Sequence, residues 1–408
     1  MNKSNSRRKR KKENIESKYY NFKSNINGLK EFAKSLSSVV SKKDEDNIKI
    51  ISRQMDSIFK KGQARHSKKR NKNEINLILT SSEFKKLIQL IESQPIGDSS
   101  HSAILFKSSF VILVSYFDYL IADIIRHYHK SFPDSLNSKD ITLSLTDLKI
   151  CKTINDATEM LVNKKVENLL YRSLDDQLEY FTNYLKINMN EIEIKWENIH
   201  EIKEKRNIIV HNNGIVNNKY ISNIRRHKLI TNEDLKEGTK IDITSDFFFN
   251  SLEEIFIGGT ILMQSCWRKW HKKQVEQQDA DLNTVMIDAL ANEEWKIAEM
   301  LGRYAMNCEV SDERMKMVNF VNYVQALKWQ GREDEVEEQL QSWDISSLDP
   351  VFTMAYYVLK SDKQQFYNIL PSIVKSKGIK KDEFFDWPLF REFRKITTFR
   401  NRINNLYK

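Results

Sequence analysis

SAILFKSSFVILVSYFDYLIADIIRHYHKSF, which runs from Ser102 to Phe132, has the strongest helical pattern in the chain. Its apolar residues recur at i, i+3, i+4 and i+7, the spacing of one face of an α-helix. The segment SQPIGDSS precedes it as a clear break, and Pro133 follows its end. The pattern therefore predicts a long helix that begins near residue 101, with Asp118 and Asp123 interrupting its apolar surface.

Three further helical patterns follow this first one. They cover residues 158–185, about 193–211 and about 247–270. Four helices of this kind predict an up-and-down or related bundle. Between the third and the fourth, residues 227–247 are expected to form a small hairpin or an ordered loop.

After this bundle the pattern changes to paired helices. Ala326, Gly331, Val336 and Leu340 provide a small residue, a turn glycine and a returning apolar stripe. This pattern resembles the helix–turn–helix unit of tetratricopeptide repeats. Asp349-Pro350 opens the next unit, and WPLFREFRKITTF near the end is predicted to be a helix that closes the last repeat.

Composition agrees with an all-α fold of two or three domains. The 408 residues include only 10 Gly and 5 Pro, few for a sheet-rich protein, and no glycine-rich phosphate loop occurs. We predict a basic, helical N-terminal region at 1–100, a helical bundle at 101–275 and a short α-solenoid of helical hairpins at 280–408. Five of the Trp residues read as core or inter-helix anchors: Trp267, Trp270, Trp295, Trp329 and Trp343.

Cysteine usage and apolar runs bear on the compartment. Three widely spaced cysteines favour a reducing compartment and argue against a thiolate zinc site. No apolar segment follows the basic N-terminus as in a signal peptide. IFIGGTILM, from Ile255 to Met263, is the longest candidate span, and it is shorter than the about 20 residues that a membrane span needs. A soluble, cytoplasmic protein without a membrane partner is expected.

The basic excess lies at the N-terminus. Residues 1–75 hold 22 Lys and Arg against 8 Asp and Glu, so their net charge is +14. The net charge of the whole chain is +10, so the remaining 333 residues carry −4. Such runs attract RNA and other polyphosphates through counterion release. A solvated tail is the alternative. The candidate RNA-binding residues are Arg7, Arg8, Arg10, Lys68, Lys69 and Arg70.

The third predicted helix ends in KEKRNIIVHNNG, from Lys203 to Gly214. An apolar stripe of Ile199, Ile202 and Ile209 has Arg206 between its members, which is costly unless the arginine is paired or faces a wet interface. His211 lies about 140° around the helix from Arg206. Asn213 or Gly214 is expected to supply a left-handed residue that ends the helix. In the alternative interpretation, His211 and Arg206 only interact favourably with the carbonyl end of the helix dipole.

The remaining histidines are weaker candidates. His127 and His129 point apart at i, i+2 spacing and are predicted to lie on the surface. His200 lies one turn before Glu204, and it either lines the same cleft as Arg206 or faces solvent. We find no set of residues with metal-ligand spacing and expect neither a metal nor a cofactor.

RNIIVHNNG at a helix end within a four-helix region resembles the R-N-x-x-x-H motif of HEPN domains (higher eukaryotes and prokaryotes nucleotide-binding). SYFDYLIADII also resembles the first helix of that superfamily, and the resemblance covers about residues 101–275. Arg206, Asn207 and His211 match the motif, whereas Asp118 matches only by its position in the first helix. Asp118 and the polar neighbour Glu204 are taken as supporting residues.

The resemblance implies a metal-independent endoribonuclease that acts as a homodimer. A histidine would move the proton of the ribose 2′-hydroxyl and an arginine would hold the scissile phosphate, leaving 2′,3′-cyclic phosphate and 5′-hydroxyl ends. It also implies a toxin or antiviral (abortive-infection) role, with the repeats binding a protein partner or a phage trigger and restraining the activity. The first alternative is a non-catalytic dimer that binds proteins or RNA. The second is an antitoxin-like or substrate-binding HEPN protein.

Overall fold

The computed structural model describes residues 14–61, 63–69, 72–93, 95–136, 142–189, 192–227, 236–345 and 348–408, and gives side chains outside 59–78 and 93. Most of these residues are helical. The described β-structure is one two-stranded antiparallel ribbon and, elsewhere in the chain, an isolated bridge between Ile215 and Lys240. The predicted all-α class is confirmed. The chain divides into two compact units, one of residues 1–177 and 195–255 and the other of residues 178–194 and 256–408.

The first unit is built on two long helices. It contains these elements: α1 (Ile15–Lys61), β1 (Gln63–Lys69), β2 (Lys72–Ile78), α2 (Ser81–Ser93), α3 (His101–Ser131), α4 (Leu145–Ile150), α5 (Ile154–Leu170), the start of α6 (Leu174–Asn183), α7 (Trp196–Asn212), α8 (Asn218–Arg226) and the start of α9 (Ser245–Trp270). Helix α3 packs against α1, α5 and α7.

Helix α1 makes up much of the predicted helical N-terminal region. Its buried residues recur at alternating steps of four and three: Ile15, Tyr19, Phe22, Ile26, Leu29 and Ala33. This stripe packs along α3, and the helix is 47 residues long. The basic residues that follow it lie in β1 and β2 rather than in a helix, with Lys69 opposite Lys72.

A local hydrogen bond sets the start of α3. Ser100 accepts a hydrogen bond from the backbone N–H of Ala103 and begins α3 where the sequence predicted.

The helix predicted over 158–185 is wrong as one element, because Ser173 begins a second helix there. Its hydroxyl accepts from the N–H of Asp176 and its own N–H donates to the Asp176 carboxylate, a reciprocal cap that starts α6.

Helix α3 also corrects the search for apolar spans. Among the residues described, it alone is long and apolar enough to cross a membrane by length and composition. The longest candidate span predicted from the sequence, residues 255–263, is instead a shorter segment of α9. Of the apolar window in α3, 56% is buried inside the protein, as in the core helix of a globular protein.

The second unit is a series of helical hairpins. It contains the end of α6, the end of α9, α10 (Val275–Ala291), α11 (Trp295–Met306), α12 (Glu313–Trp329), α13 (Glu333–Gln341), α14 (Pro350–Leu359), α15 (Lys363–Lys375), α16 (Glu383–Asp386), α17 (Arg391–Arg394) and α18 (Thr397–Leu406). Helices α10 and α11, α11 and α12, and α14 and α15 pack in sequence. Gly331 has φ +75° in the turn between α12 and α13, as its turn role requires.

The C-terminal end of this unit differs from the prediction. WPLFREFRKITTF is not one closing helix but a 3₁₀ turn at Pro388–Phe390 followed by α17 and the start of α18. Pro388 cannot donate a backbone hydrogen bond, which favours a new start rather than a continued helix. The segment still closes an aromatic core, whose buried rings are Phe366, Phe384, Phe390, Phe393 and Phe399.

The predicted tryptophan anchors lie at or near these cores. Trp267 is fully buried and donates its indole N–H to Gln274 at 2.7 Å. Trp343 is half-buried against Phe320 and Tyr356. Trp270, Trp295 and Trp329 are half-buried as well.

Candidate active site

Helix α7 ends at the Asn-Asn-Gly that follows His211. Asn213 has φ +50° and Gly214 has φ +73°, so both adopt the left-handed conformation. The N–H of Gly214 donates to the carbonyl of Ile208, and its own carbonyl accepts from the N–H of Ile241. A Cβ at Gly214 would lie 2.7 Å from the Ile241 carbonyl oxygen, so only glycine fits this close approach. The predicted left-handed end of the helix is confirmed.

The buried side of α7 is not quite the one expected. Ile199, Ile202 and Ile208 are buried, whereas Ile209 is only half-buried. The reason is α8, against which Ile208 packs in a small cluster with Val216, Tyr220 and Ile224. Arg206 therefore lies at the edge of the buried stripe, not inside it.

Arg206 differs from the two lysines near it on α7. Lys203 Nζ lies 2.8 Å from Asp118 Oδ1, and Lys205 Nζ lies 2.8 Å from Glu201 Oε1. Arg206 has no carboxylate partner within the described part of the chain. Its Nη1 donates to the neutral amide oxygen of Asn207 at 3.3 Å, and its buried Nε lacks an acceptor there. A guanidinium in this state has donors left for an anionic ligand.

Asn207 and His211 present an exposed edge next to Arg206. They are one helical turn apart, and both side chains are exposed. His211 makes no hydrogen bond to any residue that the structure describes. Arg206 and His211 are about 7.5 Å apart along the helix axis, five residues at 1.5 Å each. Arg206 and His211 therefore flank one face of α7, about 140° apart around the helix, with Asn207 between them.

The two supporting residues hold α7 in place from its other sides. Asp118 on α3 accepts from Lys203, which also donates to Gln177 at 3.1 Å on α6. Glu204 accepts from the amide of Asn223 at 2.9 Å on α8. Both acidic residues thus fix the position of α7, the motif helix that carries Arg206, Asn207 and His211. Neither lies among the exposed side chains of the motif.

A chain of ion pairs fixes the end of the motif helix relative to α3. Lys240 donates to the carbonyl of Asn213 and lies 2.9 Å from Asp98. Asp98 lies 2.8 Å from Lys107 of α3, and hydrogen bonds from both lysines lower the pKa of its carboxyl group. Together with the Asp118–Lys203 pair, these contacts show that α3 and α7 run antiparallel.

The predicted RNA-binding residues are not tested by these contacts. Lys68 and Lys69 belong to β1, where only the backbone is described. Arg7, Arg8, Arg10 and Arg70 lie outside the described residues.

The prediction for His129 is wrong. The residue is buried, and its Nδ1 lies 2.7 Å from Ser135 Oγ. Burial, followed by the charge of Lys165, lowers the pKa of His129 to about 4. His127 is half-buried, so neither ring is a simple surface side chain.

His200 also lies elsewhere than expected, because it neither lines the Arg206 edge nor faces solvent. It is buried, its Nε2 lies 3.1 Å from Asp175 Oδ1, and its ring stacks on that of His227 at 3.8 Å. His227 Nε2 lies 3.5 Å from Asp175 Oδ2. Sequence reasoning missed this group, since its three members lie 25 and 27 residues apart with no local spacing.

The fold and site define a protein of the all-α class whose helix α7 carries an Arg, an Asn and a His near its C-terminal end. No family model, no curated protein and no solved structure matches this chain.

Proposed function

We propose that the chain is a metal-independent endoribonuclease of the HEPN type. Arg206, Asn207 and His211 are its catalytic residues, and Asp118 and Glu204 position the helix that carries them. The observation that carries the proposal is the guanidinium of Arg206, which lacks a carboxylate partner in the described structure and contacts the exposed amide of Asn207, one helical turn before the exposed imidazole of His211.

Arg206 binds the scissile phosphate. Its free donors match phosphate oxygens, and its charge stabilises the negative charge that grows on them as the 2′-oxygen attacks. The neighbouring lysines are neutralised by Asp118 and Glu201, so Arg206 is the cation on this part of α7 without a protein counter-ion in the described structure. Asn207 orients the arginine through their shared hydrogen bond.

His211 moves the proton. As a base it accepts the proton of the ribose 2′-hydroxyl while the 2′-oxygen forms a bond to phosphorus. The bond from phosphorus to the 5′-oxygen breaks, and a protonated imidazole returns a proton to that oxygen. The products are a 2′,3′-cyclic phosphate and a 5′-hydroxyl, and DNA is resistant because it lacks the 2′-hydroxyl.

A second copy of the chain, in a homodimer, supplies the protonated imidazole from its own His211. Ile104, Ile112 and Tyr119 are exposed along α3, and Val210 is exposed on α7. Since the two helices are antiparallel, Ile112 lies at the level of the motif residues. Exposed apolar residues on the two helices fit a symmetric interface across which two copies of α7 face each other.

The cellular role follows from the resemblance alone. We place the protein in the cytoplasm as a toxin or antiviral defence effector, without a membrane partner. The helical hairpins of the second unit would bind a protein partner or phage trigger and restrain the nuclease. Bacteria that express the full chain should arrest growth after phage challenge, and bacteria that express His211→Ala should not.

RNA cleavage in EDTA tests the proposal directly. Wild type, Arg206→Ala and His211→Ala are incubated with structured and single-stranded RNA and with DNA of the same sequence. Each substitution should lower the rate by a factor of about 10²–10⁴ without loss of helicity. Arg225→Ala, an exposed arginine on α8, is the matched control and should cut normally.

Three results would overturn the proposal: loss of cleavage in EDTA while helicity and melting temperature stay unchanged, normal cleavage by both variants, or absence of RNA cleavage by a dimeric wild type. RNA binding without cleavage would identify the non-catalytic binding protein instead. Products that end in a 3′-hydroxyl would also exclude the mechanism, because attack by the 2′-oxygen cannot produce them.

A further inference from the structure

Three side chains converge on one point near the start of the motif helix. His200 comes from α7, Asp175 from the first turn of α6, and His227 from the end of α8. One donor atom from each lies within 4.8 Å of the other two. Both imidazoles turn Nε2 toward the same carboxylate, at 3.1 Å and 3.5 Å.

This convergence differs from the usual packing of a buried histidine. Such a residue normally has a hydrogen-bond partner of its own, as His129 has Ser135. Here one carboxylate serves two stacked rings, and its distances of 3.1 Å and 3.5 Å from the two Nε2 atoms are close to the separation of neighbouring ligands in a tetrahedral zinc site. Ligand atoms at 2.0–2.1 Å from a zinc ion lie about 3.3 Å from one another.

Two cations lie beside the site. Arg226 Nη2 lies 3.7 Å from Asp175 Oδ2, and the charge of Lys203 also acts on His200. Both cations repel a divalent ion, so binding should be weaker than at a site of four protein ligands.

We propose that Asp175, His200 and His227 form a zinc site that joins α6, α7 and α8. Two imidazoles and one carboxylate favour Zn²⁺ over Mg²⁺ and Ca²⁺, which prefer oxygen ligands. A water molecule completes the tetrahedron, and it can reach the ion past Asp175, the most exposed of the three side chains. Because stacked rings cannot both direct Nε2 at one ion, metal binding requires His227, at the end of its helix, to turn out of the stack seen here.

The site is separate from the proposed nuclease chemistry. His200 precedes Arg206 by six residues, which is about 9 Å along the helix. Zinc here would fasten α8 to α7 beside the contact between Glu204 and Asn223, and so hold the motif helix. Its role is to position the helix, and no step of RNA cleavage passes through it.

Zinc binding is measured on the full chain after chelator treatment and dialysis. Calorimetric titration with Zn²⁺ should give one site per chain, and Co²⁺ should give the visible absorption bands of a tetrahedral complex. Zn²⁺ should raise the melting temperature, whereas Mg²⁺ and Ca²⁺ should not. His227→Asn and Asp175→Asn should each weaken binding at least tenfold and remove the Co²⁺ bands, while His127→Asn should keep both.

Two results would overturn the inference: no Zn²⁺ bound by the folded wild type, or unchanged affinity and Co²⁺ spectra in His227→Asn. His200→Gln is a further variant, and if it fails to fold, the two more exposed positions carry the test. Because the readouts are binding and spectra, they are independent of nuclease activity. Zn²⁺ binding can be found in a protein that does not cleave RNA, and RNA cleavage can be found in a protein that does not bind Zn²⁺.

Discussion

Asp44 of α1 closes the start of α3, and its removal should destabilise the first unit. The two carboxylate oxygens accept the backbone N–H groups of His101 and Ser102, each at 2.9 Å, and the Asp44 Oδ1 also lies 2.9 Å from the His101 ring. Ser100 accepts the next N–H, from Ala103. The free N–H groups of this helix start are thus satisfied by one local and one distant side chain, and the carboxylate also interacts favourably with the helix dipole.

The size of the effect follows from the pKa of Asp44. Burial alone would raise it, but the hydrogen bonds from Ser102 and His101 outweigh burial and lower the pKa from 3.8 to about 2. That difference corresponds to about 2.4 kcal/mol. Since the carboxylate is 13% exposed and partly screened, we expect Asp44→Asn to lower the free energy of unfolding by about 1–2 kcal/mol at pH 7.

The pH dependence has a definite sign. The folded-state pKa is depressed, so the stabilisation is fully present above pH 4 and is lost as the pH falls toward 2. About half of the difference between wild type and Asp44→Asn should be gone at pH 3. Urea unfolding at several pH values, with hydrogen exchange of the Ser102 amide as a local probe, measures both quantities.

Asp46→Asn is the matched control, because Asp46 lies two residues further along the same helix and is exposed. It should change stability by less than about 0.5 kcal/mol. Equal stability of Asp44→Asn and wild type at pH 7 would refute the capping role. A difference that does not change between pH 7 and pH 3 would refute its electrostatic origin.

Three further predictions concern the site and the cores. Gly214→Ala should cost about 1–3 kcal/mol in stability, measured by urea unfolding, because its Cβ would meet a carbonyl oxygen at a positive φ. Asp118→Ala should destabilise more than the double variant Asp118→Ala/Lys203→Met, since it leaves a half-buried ammonium without its carboxylate; a double-mutant cycle that shows no coupling would contradict this. With a thiol reagent, Cys151 should react first and Cys266 only on unfolding, because full burial raises the pKa of the Cys266 thiol; mass spectrometry of labelled peptides gives the order.

The candidate site was predictable where it depends on neighbours within one or two turns. Arg206, Asn207 and His211 follow from a local motif, and the left-handed end follows from Asn213-Gly214. The environment of Arg206 did not follow, because the structure had to show that the nearby lysines are paired and the arginine is not. That the site cleaves RNA stays a prediction.

The sequence by itself determined which segments are helical and where many of them begin and end. Periodicity, the Ser100 cap, the Pro133 stop and the Asp349-Pro350 start all act within about four residues, the reach of one helical turn. It did not give the bounds of α1 within the predicted helical region, because the length of that helix depends on α3, the partner helix that buries its apolar face.

Tertiary structure alone decided which side chains meet across the fold. Asp44 caps a helix 57 residues away, and Asp118 pairs with a lysine 85 residues away. Asp175, His200 and His227 come from three helices, and Ile208 rather than Ile209 is buried because α8 covers it. No local pattern encodes such contacts, since they depend on the directions in which separate helices pack.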